Sequence, residues 1–311
     1  MHNLEISLPC GNISSNKELG RYFQDLSQAI YHFDHNSFGE FDEDGIPFLI
    51  EKGKKTYSVI YVIQYALIQN ELIMINDDVK SRKTNIKKCI DWLDKKSEKF
   101  KSAIVWRNEE NQQYNLKKGW ISGMYQGQAI SLYLRAYQIF GDEKYLNTSK
   151  NIFKYFHLDF SEGGVTRLDE NGDLWIEEYP TTPPSFVLNG FIYAAFGILD
   201  LYRVTKSKEA KAMFDACVKT LEGNLHKYDL WYWSVYDQGK EQLVSYYYLK
   251  NVHIPLMDIL FKLTKKKIFE KYNQKWQRQL DSKTLYFITK IMYRLQPRLK
   301  KVKSILKNQN V

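Results

Sequence analysis

Cysteine is scarce in this chain of 311 residues: Cys10, Cys89 and Cys217 stand far apart, with no CxxC spacing and no histidine close by. That excludes a disulfide framework and a zinc knuckle, and it reads as three reduced, incidental thiols suited to the cytoplasm. Long apolar runs are missing too. Nowhere do eighteen apolar residues occur together, and the N-terminal stretch MHNLEISLPCGNISSNKELG has no basic patch followed by an apolar run. Neither a membrane span nor a secretory signal is expected, while peripheral association with a membrane stays open. No GxGxxG, HExxH or P-loop sequence appears, and no dense cluster of acidic ligands, so neither a cofactor nor a metal is expected. Asp42, Glu43 and Asp44 read as a charged surface turn. The net charge of +9 favours an anionic partner in general, but the lysines are scattered. The one dense basic run, RLKKVKSILK from Arg298 to Lys307, reads as a solvated helix face. Without an RNA-binding or zinc-finger signature, no nucleic-acid partner is expected.

What is present is a repeat. With 44% hydrophobic and 26% charged residues the chain can bury a sizeable core. Four apolar helices align on a polar residue near their starts, Gln64, Gln128, Asn189 and His253, at separations of 64, 61 and 64 residues. After each comes a short polar turn (Asn76-Asp77-Asp78, Gly141-Asp142-Glu143, Thr205-Lys206-Ser207, Thr264-Lys265-Lys266) and a more charged helix with apolar residues at helical spacing. The first helix of each pair should lie inside and the second outside. The expected fold is therefore mainly α: an α/α-toroid of about four helical hairpins, with a superhelical stack as the alternative. Residues 1–311 read as a single catalytic domain, in which 1–56 form an N-terminal helix and β-hairpin extension. That N-terminal helix is placed near Glu18 to Tyr31, and a C-terminal one near Lys283 to Leu295.

Connections between hairpins are long, and a toroid gathers them at the N-terminal ends of its inner helices. They run roughly Phe33 to Thr56, Lys99 to Tyr125, Leu158 to Val187 and Leu225 to Val252, and hold five of the seven tryptophans. VTRLDENGDLWIEEY predicts a β-hairpin turning on Asn171-Gly172, and WYWSVYD a second β segment, giving a cavity mouth lined with small hairpins and aromatic rings. Three of the seven prolines, Pro180, Pro183 and Pro184, fall in EEYPTTPPSFVLNGF (Glu177 to Phe191). They should hold Glu178 and Tyr179 on a stiff approach to a helix that Ser185 can cap. A tyrosine beside paired acids suits moving a proton on and off carbon. Aromatic faces suit sugar rings and helix N-termini suit carboxylates, so a uronic-acid-containing glycan is the favoured partner.

The residues then resemble the catalytic domain of the D-glucuronyl C5-epimerases. The resemblance rests on EEYPTTPPSFVLNGF, on LKKGWISGMYQGQAISLYLRAY (Leu116 to Tyr137), on FDEDGIP (Phe41 to Pro47) with QYAL (Gln64 to Leu67), and on SVYD (Ser234 to Asp237) with the tyrosine cluster before His253. It implies cofactor-independent inversion of glucuronate to iduronate units within a heparosan-like polymer. It also implies that Tyr179 and Tyr236 are catalytic with Glu178 assisting, and that a third tyrosine is Tyr248 or, second, Tyr247. Gln126, Gln128, Asn189 and His253 would surround the sugar together with Trp120 and Trp175, with Lys118 and Arg167 as carboxylate partners. Gln128 and Asn189 could equally cap helices. Two departures from the family pattern stand out: Leu249 occupies the position of the last tyrosine, and Gln238-Gly239 replaces an arginine. A toroidal uronate lyase, which removes the same proton and then expels the C4 oxygen, is the nearest alternative. A glycan-binding homologue without turnover is another; a glycoside hydrolase would need a second spaced carboxylate beside Glu177 or Glu178. Homodimerisation is left open.

Overall fold

The computed structural model describes residues 6–11, 13–34, 40–51 and 53–308. After a short helix α1 (Ile30–Asp34) come four helical hairpins. They pair α2 (Val59–Met74) with α3 (Val79–Lys96), α4 (Gly123–Phe140) with α5 (Glu143–Phe153), and α6 (Leu188–Thr205) with α7 (Lys208–Asn224). A single turn, α8 (Tyr246–Tyr248), precedes the fourth pair, α9 (Ile254–Thr264) with α10 (Lys267–Asp281), and α11 (Lys283–Asn308) follows. Local chemistry explains the boundaries. The side chains of Asp78, Ser122, Asp142 and Ser207 accept backbone N–H groups at the starts of α3, α4, α5 and α7. Gly141, Lys206 and Lys265, all left-handed, end α4, α6 and α9.

The first helix of each pair is inside: α4 and α6 are buried along most of their length, while α3, α5, α7 and α10 keep a solvated face. α4 and α6 touch through bare backbone, because a Cβ on Gly197 would overlap the carbonyl of Gly127. The ring of hairpins, with its long connections gathered where the inner helices begin, is an α/α-toroid. Among the described residues no helix is long and apolar enough to cross a membrane.

Residues 6–11 and 13–26 run through the hub of this ring rather than forming the helix expected from Glu18 to Tyr31; only a 3-10 turn (Ser27–Ala29) and α1 are helical there. The reason lies in what holds the backbone. Arg135 of α4 donates to the carbonyls of Gly20 and Arg21, and Arg203 of α6 to those of Asn16 and Glu18. Both guanidiniums pair with buried Asp200, at 2.7 and 3.0 Å. Carbonyls satisfied from outside need no helix. Phe23 meanwhile stacks on Phe196 at 4.5 Å.

Among the described residues three small antiparallel sheets stand at the mouth: β1 (Glu40–Phe41), β2 (Pro47–Glu51) and β3 (Lys54–Thr56); β4 (Glu98–Phe100) and β5 (Ala103–Val105); β6 (Thr166–Leu168) and β7 (Leu174–Ile176). The β6–β7 connection is not the two-residue Asn-Gly turn. Leu168 pairs with Leu174, and the Asp169 carboxylate accepts the N–H groups of Asn171 and Asp173 within a five-residue loop. Nor is 231–237 a strand, since Ser234, Val235 and Asp237 bridge singly to Asp229, Leu243 and Val187.

Candidate active site

β7 leads directly into the two glutamates, and they serve opposite sides. Glu177 accepts hydrogen bonds from Ser185 Oγ at 2.9 Å and Phe186 N at 3.0 Å, and pairs with Arg167 at 3.4 Å. It thus ties the proline-rich turn shut, with Phe186 held at a φ of 45°. Ser185 is spent on this tie; α6 begins at Leu188 without a side-chain cap. Burial raises the Glu177 carboxyl to about 7 despite Arg167.

Glu178, 2% exposed, lies against the first turn of α6, where Gly190 offers no side chain. The Tyr236 hydroxyl donates to its carboxylate, 3.3 Å from both oxygens, and the Tyr179 phenol is its electrostatic neighbour. Burial lifts Glu178 to about 7, against the pull of the two phenols beside it. Burial pushes the phenols of Tyr114, Tyr125, Tyr179, Tyr193, Tyr236 and Tyr248 upward, with the Glu178 charge adding to it and, for Tyr114, Asp237 adding more. At rest all six are neutral phenols, and of them Tyr236 donates to Glu178 while Tyr114 donates to Asp237 and Tyr193 to Gln24.

The rings are stacked into walls. Tyr179 lies flat on Tyr114, with centroids 4.1 Å apart and planes at 11°, and is flanked by Trp120 at 5.5 Å. Tyr236 meets Tyr248 edge-on at 5.6 Å, and His253 packs on Tyr248 at 5.3 Å. His253 Nδ1 bonds Ser234 Oγ at 2.8 Å, and burial depresses the imidazole to about 3, so it is neutral.

Of the residues singled out from sequence, Tyr179, Tyr236, Tyr248, Glu178 and Trp120 come together. Tyr247 is instead 45% exposed on the outer side of α8. Gln126 is buried with its amide on the Ile104 carbonyl, Gln128 accepts from Gln64 at 3.3 Å, and Asn189 approaches the Met124 sulfur. Lys118 points to solvent and pairs with Glu109 at 2.7 Å. Arg167 is taken up by Glu177 and lies 3.6 Å from the Phe160 ring centroid, so it is not free for a substrate carboxylate. Trp175 is fully buried between Phe186 and Phe191, where it is core. Sequence reading missed Tyr114, Tyr125 and Tyr193. Tyr125 sat in view inside the GMYQGQ motif; the other two reach the site only through the fold.

Fold and site define a class first: an α/α-toroid whose mouth holds tyrosines around one buried carboxylate, apt for proton transfer. The chain belongs to the D-glucuronyl C5-epimerase family, whose C-terminal sequence profile matches residues 95–278, a span containing all of these groups except those of the N-terminal hub. It is similar to the D-glucuronyl C5-epimerase of Caenorhabditis elegans, 34% identical over 192 residues that make up 56% of this chain and 31% of that protein. An uncharacterized protein of Methanocaldococcus jannaschii is 32% identical over 184 residues, 58% of this chain and 59% of that one. The chain thus spans less than two thirds of the length of either relative. In structure it is similar to cellobiose 2-epimerase from Bacillus thermoamylovorans, with a TM-score of 0.51 at 12% identity over 81% of this chain and 66% of that one, a likeness of fold.

Proposed function

We propose that the protein is a cofactor-independent C5-epimerase acting on D-glucuronate units within an acidic glycan, inverting them to L-iduronate. The observation that carries this reading is one buried carboxylate, Glu178, hydrogen-bonded by the Tyr236 hydroxyl and neighboured by the Tyr179 phenol, its partner in sequence. Neither phenol is acidic enough to be a standing phenolate. A tyrosine can still take the C5 proton if its own proton passes to Glu178 in the same step, and a carboxyl near 7 is matched to receive it. The second tyrosine then donates its proton to the opposite face of C5 and recovers one from Glu178. Every proton is accounted for, and the site returns to its starting state without an outside acid. Tyr248, packed edge-on against Tyr236, orients it. The family relationship supports glucuronate as the sugar, and heparosan is the polymer to try first.

Incubation with heparosan in deuterated water tests the reading. Deuterium should appear at C5 together with iduronate signals in the proton spectrum, and Tyr179→Phe should abolish both. Unsaturated product absorbing in the ultraviolet would make the protein a lyase, and binding without exchange on any glucuronate polymer would make it a lectin.

A further inference from the structure

We propose that Tyr114 is a positioning residue that sets the distance between the two tyrosine walls; this rests on the C5-epimerase reading of the same site. Tyr114 sits at the tip of an arm, residues 106–121, braced by its own backbone pairs between Asn108 and Trp120 or Gly119 and between Asn111 and Leu116. From there it reaches both sides at once. One face of its ring carries Tyr179 at 4.1 Å, and Lys240 Nζ lies 4.3 Å from the ring centroid against the other. Its hydroxyl donates to Asp237 Oδ2 at 2.8 Å. Asp237 is fully buried, accepts the Lys240 N–H through its other oxygen, and is the chain neighbour of Tyr236. Tyr236 hydrogen-bonds Glu178, the chain neighbour of Tyr179. The contacts close a circuit: Tyr179, Tyr114, Asp237, Tyr236, Glu178 and back to Tyr179. An epimerase needs this circuit more than a one-sided enzyme would, because removal and return of the proton occur from walls that must stay in register across one sugar ring. Misplacement on the order of 1 Å can cost about 100-fold in rate.

Tyr114→Phe keeps the ring stack and cuts the link to Asp237. With heparosan in deuterated water, KM should stay within about twofold, while kcat for inversion falls on the order of 10- to 100-fold. The telling readout is stereochemical: the ratio of C5 exchange with retention to C5 inversion should rise, since one wall still works while the other is out of register. Tyr114→Leu, which loses the stack as well, should depress both. An unchanged ratio in Tyr114→Phe, or equal loss of exchange and inversion accompanied by a lower melting temperature, overturns the proposal. If the wild type neither exchanges nor inverts, it is the C5-epimerase reading that fails. The clamp is then decided by fluorine spectra of 3-fluorotyrosine-labelled protein, with the Tyr179 resonance assigned from Tyr179→Phe. That resonance must shift in Tyr114→Phe, and an unmoved line overturns the clamp too.

Discussion

Glu178 rests on backbone, and at the scale of single residues this makes Gly190 as constrained as the acid itself. A Cβ there would sit 2.5 Å from the Cβ of Glu178, 2.9 Å from its carboxyl carbon, and closer still to a carboxylate oxygen. Nothing in the backbone of Gly190 forbids alanine, since its φ is not positive, and helix propensity alone favours alanine by about 1 kcal/mol. The two effects therefore point in opposite directions. Gly190→Ala should lower the rate of C5 deuterium incorporation on the order of 100-fold by displacing Glu178 from the hydroxyls of Tyr179 and Tyr236. A variant that melts higher and exchanges at the wild-type rate would show that the acid needs no such seat. The same scale explains what could be read from sequence. Glu178 and Tyr179 were visible because three prolines and two acids crowd one short stretch, and local chemistry of that kind survives in one dimension. Tyr114 and Tyr193 carry no local pattern. Trp175 and Arg167 carried one that misled: Trp175, Ile176 and Glu177 are all buried where β7 ends, and Arg167 follows Glu177 inward.

Elements were legible wherever their limits are set by neighbours in the chain, as at the Asp78, Ser122, Asp142 and Ser207 caps. They were not legible where distant groups satisfy the backbone, as in the hub segment and residues 231–237. Helix α2 shows the cost of such a distant tie. Glu71 accepts the Tyr22 N–H with one oxygen at 2.5 Å, while its other oxygen is buried without a partner, and burial raises the carboxyl from 4.5 to about 7. A folded-state value above the unfolded one means that the folded chain holds the proton more tightly. Its contribution to stability is then fully present below pH 4.5 and is lost as pH rises through 7. Glu177 and Glu178 act in the same direction, whereas His253, depressed from 6.5 to about 3, adds stability as pH rises over that lower window. Comparison with Glu71→Gln, which keeps the acceptor for Tyr22 and cannot ionise, isolates the one group. Between pH 5 and pH 8 the wild type should lose on the order of 2 kcal/mol more than the variant in urea unfolding. Parallel pH profiles for the two proteins would mean that Glu71 is not buried as an acid.

For the whole molecule the hub segment decides what kind of object the toroid is. Four hairpins in sequence could behave as a repeat array that frays hairpin by hairpin, each pair contacting only its neighbours. Residues 13–26 oppose that, because they touch distant hairpins simultaneously. Asn70 on α2, Arg135 on α4 and Arg203 on α6 hold carbonyls of the segment, and Gln24 accepts from Tyr193 on α6 while donating to the Asn251 carbonyl just before α9. Leu19, Tyr22 and Phe23 belong to the same core as the inner helices. A segment with that reach makes loss of any hairpin a loss for all of them, so residues 6–281 should unfold as one unit. Phe23→Ala tests it from the centre. Phe23 is 1% exposed and stacked on Phe196, and its truncation should cost about 3–5 kcal/mol. If the hub locks the ring, far-ultraviolet circular dichroism and tryptophan fluorescence will still follow one coincident transition, shifted to lower denaturant. If the segment only lies on a self-sufficient ring, the same variant will lose less than about 1 kcal/mol, or its two probes will separate because the segment detaches while the hairpins remain folded.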